Sequence, residues 1–287
     1  MRRLFVLSGG GGAGLVKHAA MAFALWNHDI RPTAVSGTSA GGLAALALAT
    51  GTTPYQLWLF LKTIGRDAVR APHWAWLPRF RWLDAIHAAR AARAVIAELI
   101  PSGRDHLRIP AHCWAVDEDR GDLVDVAAPE HGLTLQEAAL ATMSAPPMLP
   151  AVRAGNRRLV DGGLAFNVPL IEGWEHYDEV YLLIACDRMG SYHRYDLLSR
   201  TVRAVQLMMA AQVDEVLRHP LVRTMAEMGK IRILWPDQPS SRGLLDIDLD
   251  LFQPTLLWAL DAVDRMCAPG QPSAPGGAVP VDLQAAP

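Results

Sequence analysis

Cysteine is scarce in this chain: there are three in 287 residues, at positions 113, 186 and 267, and none forms a CxxC pair. Three thiols cannot all pair with one another, so a disulfide scaffold is disfavoured, and reduced thiols in a cytoplasmic compartment fit better. No HExxH or HxxEH spacing occurs either, and no metal site is expected. Long hydrophobic runs are also missing. No stretch of 18 apolar residues is present, so no membrane-spanning helix is expected. Arg2-Arg3 ahead of Leu4–Leu7 has the opening of a twin-arginine leader, but Ser8 and four glycines end the apolar run too soon for a signal core. A charge excess is lacking as well: 27 Lys and Arg face 29 Asp and Glu, a net −2. With no positive surplus to release counterions, nucleic acid is not an expected partner.

Apolar residues make up 51% of the chain, and 44 of its residues are Ala, so a sizeable core is available. The last twenty residues, 268–287, are Pro-, Ala- and Gly-rich with one charge, Asp282. They cannot bury enough to offset their ordering entropy and are expected to form a disordered tail behind a single domain, 1–267. Short apolar runs at Leu4–Leu7, Thr33–Ser36, Ala111–Val116, Asp122–Val126, Arg157–Val160, Glu179–Cys186 and Ile231–Leu234 predict strands. Helical patterns over Leu15–Trp26, Ala40–Ala49, Pro54–Ile64, Leu83–Ile100, Leu135–Met143, Leu197–Leu217 and Thr255–Met266 separate them. Strand and helix alternate throughout, which predicts an α/β fold with a mostly parallel sheet covered on both faces. Asp246-x-Asp248-x-Asp250 has calcium-like spacing, but Leu251 stands where the loop needs Gly, so these residues are read as an edge strand.

Residues 9–14 read Gly-Gly-Gly-Gly-Ala-Gly between a strand and a helix. Such a loop lets backbone N–H groups converge on an anion at a helix N-terminus. Gly9-x-Gly11-x-x-Gly14 also fits the dinucleotide fingerprint, but that motif expects an acid about 20 residues on. No acid lies between Arg31 and Arg66, which turns the reading toward an oxyanion loop. Gly37-Thr38-Ser39-Ala40-Gly41 then fits G-x-S-x-G between a strand and an Ala-rich helix. In that motif the Ser sits at the apex of a strained turn, and the flanking glycines leave room for the close approach of neighbouring backbone. An α/β-hydrolase would place the elbow after several strands and a His base last. Here Ser39 follows the second strand, and none of the ten His residues has a context marking it as a triad member.

Asp161-Gly162-Gly163 follows a further strand, with Asn167 and Pro169 behind it. Asp-Gly is an ordinary turn sequence, but the position also admits Asp161 as the base facing Ser39. Its carboxylate, near pKa 3.9 when free, would need to be held close to Oγ and partly desolvated to serve.

Glycine loop, G-x-S-x-G and Asp-Gly-Gly in this order resemble the patatin-like phospholipases, a family of Ser–Asp dyad lipid acyl hydrolases; the resemblance spans about residues 4–186 and includes Ser144–Pro150. It implies a three-layer α/β/α sandwich, Ser39 as nucleophile, Asp161 as base, and Gly9, Gly10 and Gly11 as the oxyanion loop, with no cofactor. Gly14, Gly37, Gly41 and Gly163 would support these motifs, and Asn167 and Pro169 would play a structural part. One position departs from the family pattern: Ala13 stands where Arg or Lys usually precedes the last loop glycine, and Lys17, one helical turn on, is the nearest cation.

Residues 54–100 read as a helical cap insertion. Trp58, Trp74, Trp76, Phe80 and Trp82 cluster there, and seven Lys and Arg against two Asp from Lys62 to Arg93 leave a local +5. Either these are packed aromatics under solvated cations, or residues 58–93 form a peripheral contact with anionic lipid. The expected activity is hydrolysis of lipid carboxylic esters through an acyl-enzyme. Two other readings stay open: an inactive binding module on the same fold, and a nicotinamide-binding protein.

Overall fold

The computed structural model describes residues 1–64, 81–146, 148–187, 197–239 and 247–268. Its order is β1 (Arg3–Leu7), α1 (Gly11–Asn27), β2 (Ala34–Thr38), α2 (Ala40–Ala49), α3 (Pro54–Ile64), α4 (Arg81–Leu99), β3 (Ala111–Asp117), β4 (Leu123–Asp125), α5 (Leu135–Thr142), β5 (Val152–Ala154), β6 (Arg157–Asp161), β7 (Glu179–Leu183), α6 (Leu197–Arg218), α7 (Pro220–Glu227), β8 (Ile231–Leu234) and α8 (Phe252–Cys267). The strands form one sheet in the order β5-β6-β3-β2-β1-β7-β8, with β4 paired to β3.

The middle of this sheet is parallel: β1 runs alongside β2 and β7, β2 alongside β3, and β7 alongside β8. Its central strands β1 and β7 are buried on both faces, which is why Leu4–Leu7 and Val180–Leu183 read as unbroken apolar runs rather than alternating ones. Phe5, Leu7, Val35, Tyr181 and Leu183 point into a core roofed by α1, α2, α5 and α8. Leu4, Val6, Val180 and Leu182 point the other way, against Val213 of α6 and Val222 and Ala226 of α7. Helices therefore cover both faces, and the three-layer α/β/α architecture expected from the sequence is present. All ten residues of α2 are buried. A helix enclosed on every side by sheet and by α1 and α5 must be narrow, which accounts for the Ala-rich run.

One end of the sheet is antiparallel. β6 runs against β3, pairing Asp161 with Ala115, and β5 runs against β6. The reversal matters for the site. β2 ends at Thr38, level with Trp114 of β3, and β6 arrives at that level from the opposite direction, ending at Asp161. The β5–β6 hairpin is not among the sequence expectations, although Gly155-Asn156 between two short strands is its signal, with Gly155 at φ 61°. Helix α7 is also absent from them, because Pro220 reads as a stop while it in fact occupies the first turn.

The edge strand expected around 246–250 is a correction. Asp246 lies outside the described residues, and Leu249–Leu251 form a short 3₁₀ turn leading directly into α8. Ile247 and Leu251 bury into the helical side of the core instead of extending the sheet. Of the proposed cap, α3 and α4 are described, whereas Trp74, Trp76, Phe80 and the expected tail beyond residue 268 lie outside the described residues.

Candidate active site

The elbow is formed where β2 gives way to α2 with a single residue between them. Ser39 takes φ 54°, ψ −130°, a conformation a side chain adopts only when its surroundings impose it. The surroundings are tight. A Cβ on Gly41 would run into the Leu7 and Ser8 carbonyls, and one on Gly37 into the Gly41 backbone. Gly41→Ala is therefore expected to lower unfolding stability by about 3 kcal/mol, read as a shifted denaturation midpoint; an unmoved midpoint would mean the turn has room. The Ser39 N–H donates to Thr142 Oγ1 at 2.8 Å, and the Thr142 hydroxyl donates in turn to the Trp114 carbonyl at 2.6 Å. Thr142 is a supporting residue that no sequence motif marks.

The Ser39 hydroxyl donates to Asp161 Oδ2 at 2.7 Å. Asp161 Oδ1 accepts the Gly163 N–H, also at 2.7 Å, so the two oxygens have different partners and the carboxylate is fixed in orientation. Ser39 and Asp161 are both buried, at 7% and 5% exposure. Burial raises the Asp161 pKa from 3.8 to about 6, against the opposing pull of the Ser39 and Gly163 hydrogen bonds. A carboxyl in that range is still ionised at neutral pH and is a much better proton acceptor than a free aspartate. No histidine among the described residues is hydrogen-bonded to either group. His18 is fully buried with Nε2 2.7 Å from the Ser8 carbonyl, and its pKa falls to about 4, chiefly because burial disfavours the cation.

The glycine loop departs in one respect from expectation. The Gly9 N–H donates to Asn167 Oδ1 at 2.9 Å and faces the Asn167 carbonyl at 3.3 Å, so it is not free for a developing oxyanion. Gly10 caps α1, and Gly11 opens the helix at φ 64°, a left-handed conformation that favours glycine. The first N–H groups of a helix have no intrahelical partner, so Gly10 and Gly11 of the expected trio, joined by Gly12, present donors and the positive helix end. Gly11 and Gly12 face the same cleft as Ser39 and Asp161. Gly14 packs against Ala185 and Ala40. Lys17 does not replace the cation missing at Ala13: it is fully buried and its Nζ bonds Asp187 Oδ1 at 2.6 Å.

The cleft is otherwise apolar, walled by Leu15, Leu43, Val95, Ile96, Met143 and Leu149 among others. Val95 and Ile96 belong to α4, so residues 54–100 contribute part of the wall. Among the described residues, no group of three His, Cys, Asp or Glu could hold a metal ion. Nor is any helix of the described residues long and apolar enough to cross a membrane.

The family model for the patatin-like phospholipases matches residues 5–174. No curated relative matches the chain. Among solved structures, the chain is similar to VipD from Legionella pneumophila, at 14% identity and TM-score 0.46, covering 91% of this chain and 66% of that one. It is also similar to the type III effector ExoU, at 16% identity and TM-score 0.41, covering 92% of this chain and 52% of that one. A third match is the complex of SpcU with ExoU from Pseudomonas aeruginosa, at 17% identity and TM-score 0.32, covering 76% of this chain and 53% of that one. The chain therefore spans less than two thirds of the length of each of these proteins.

Proposed function

From its membership of the patatin-like phospholipase family, we propose that this chain hydrolyses carboxylic esters of lipids with Ser39 as nucleophile and Asp161 as base. Family membership supports a lipid acyl hydrolase in general. The observation that carries the finer reading is the 2.7 Å contact from Ser39 Oγ to Asp161 Oδ2 at the wall of an apolar cleft.

In this mechanism Ser39 Oγ attacks the ester carbonyl as its proton passes to Asp161 Oδ2. The carbonyl oxygen takes up the negative charge and is met by the Gly10 and Gly11 amides at the head of α1. Collapse breaks the bond to the alcohol oxygen, which leaves with the proton from Asp161, and Ser39 is left acylated. Water then attacks the acyl carbonyl and gives its proton to Asp161. A second collapse frees the fatty acid and returns the proton to Ser39 Oγ. The acyl chain lies along Leu15, Leu43, Ile96 and Met143, whose burial of methylenes supplies binding energy at about 0.8 kcal/mol per CH₂. Residues 1–267 form one hydrolase domain in this reading, with 54–100 as its cap. Cys113, Cys186 and Cys267 are free thiols, which fits a cytoplasmic compartment.

A screen of fatty acid released from phospholipids, lysophospholipids, glycerides and thioesters tests the reading, with Ser39→Ala as control. Release from at least one class, absent in the control, is expected. No release from any class would favour the inactive binding module.

The proposal extends to the membrane, with 58–93 as a peripheral contact. Trp58 is half-buried, with one face of its ring stacked on Phe252 at a centroid distance of 3.8 Å. Tyr55 and Leu59 on the outer side of α3 are 54% and 41% exposed, and Lys62 lies beyond them. Sedimentation with vesicles containing phosphatidylglycerol is expected to retain the wild type and to lose most of Leu59→Asp. Equal retention of both would remove this face of α3 from the contact.

A further inference from the structure

Helix α6 lies beyond residues 5–174 matched by the family model, yet two of its residues reach into the site. Gln212 bonds three backbone groups of the loop that follows Asp161. Its Oε1 accepts the Asn167 N–H at 2.7 Å, and its Nε2 donates to the Leu164 carbonyl at 3.1 Å and, more weakly, to that of Gly163 at 3.4 Å. The partners settle the amide's orientation, because the oxygen faces a donor and the nitrogen faces two acceptors. One turn back along α6, the Met209 carbonyl accepts Asn167 Nδ2 at 3.2 Å. The fully buried Asn167 is thereby held from two sides, and its remaining atom, Oδ1, takes the Gly9 N–H at 2.9 Å. Gly9 precedes Gly10 and Gly11, and Gly163 holds Asp161 Oδ1.

A continuous chain of hydrogen bonds therefore runs from α6 through Asn167 to the glycine loop, and from α6 through Gly163 to the carboxylate. We propose that Gln212 is a positioning residue that sets the glycine loop and the Asp161 loop in register with each other. Gln212 touches neither substrate nor the reacting atoms. Its effect is on the relative placement of the proton acceptor and the oxyanion donors, where an error of about 1 Å costs on the order of 10²-fold in rate. The inference rests on Ser39 and Asp161 being the reacting pair, but half of its test does not.

The test compares the wild type with Gln212→Met, close in size but without the hydrogen bonds. Exchange of the Gly9 amide is measured by NMR, and kcat, KM and the pH profile are measured on the ester found in the lipid screen. Gly9 does not touch Gln212, so its amide is exposed by the substitution only if the register passes through Asn167. The expected result is Gly9 exchange faster by about tenfold or more, kcat lower by about 10–100-fold and KM within about twofold. The acid limb of kcat/KM moves upward as the Gly163 hydrogen bond to the carboxylate loosens. Gln212→Glu keeps the acceptor for Asn167 and loses both donors, so a smaller acceleration of Gly9 exchange is expected, and this variant stands in should Gln212→Met not fold. Unchanged Gly9 exchange overturns the inference, as does faster Gly9 exchange with kcat and pH profile unaltered. A wild type that releases no fatty acid fails the hydrolase reading instead, and leaves the Gly9 comparison to decide the register.

Discussion

Ser39→Ala is expected to lower kcat/KM for ester hydrolysis by about 10⁴-fold or more, the scale on which loss of a nucleophile is felt when base and oxyanion donors remain. Fluorophosphonate labelling should vanish with it. Labelling that persists would place the nucleophile elsewhere. A second comparison at the same position separates strain from chemistry. Ser39 sits at φ 54°, ψ −130°, where Ala has the same steric conflict and Gly has none. Ser39→Gly should therefore be as inactive as Ser39→Ala but more stable by about 1 kcal/mol. Equal melting temperatures would mean that the turn is not under strain.

Asp161→Asn should lose about 10²–10⁴-fold in hydrolysis, the range of a removed general base. The wild type itself should lose activity about tenfold per pH unit below the Asp161 pKa of about 6, since only the carboxylate accepts the proton. Stability should move oppositely. Burial raises the Asp161 pKa from 3.8 to about 6, so between these values the folded chain holds a proton that the unfolded chain has released. Folding stability contributed by this group is thus full below about pH 4, falls as the pH rises through about 6, and stays low above. An uncharged Asn escapes that penalty. At pH 8 the variant should be more stable than the wild type by up to ~3 kcal/mol, from about two pKa units, and the difference should close near pH 4. A variant no more stable at pH 8 would mean that the ionised carboxylate is not disfavoured in the folded protein.

The proposed reacting pair was legible because each member sits in a short local motif at a strand end: Gly37–Gly41 around Ser39, and Asp161-Gly162-Gly163 after β6. Strands β1 and β7 at the sheet's parallel centre were legible for a related reason, since both are buried on both faces and show as unbroken apolar runs. Residues acting through backbone contacts across long sequence gaps were not. Thr142 meets Ser39 from 103 positions away, and Gln212 meets Asn167 from 45. The same blindness explains Gly9: its neighbours Gly10 and Gly11 look identical in the sequence, and only the position of Asn167 shows which amide is already taken. The run around Asp248 misled because alternating acids and apolar residues suit a 3₁₀ turn packed on a core as well as a strand.

The antiparallel arrival of β6 has a consequence for the growing polypeptide. The Gly37–Gly41 elbow and the glycine loop are synthesised early relative to their partners: Asp161 lies 122 positions after Ser39 and the α6 brace later still. At ribosomal speeds of roughly 5–20 residues per second, a chain bearing the serine waits several seconds or more before a proton acceptor exists to activate it. On the proposed mechanism, a chain arrested before β6 pairs with β3 is inert, because it carries the nucleophile without its base.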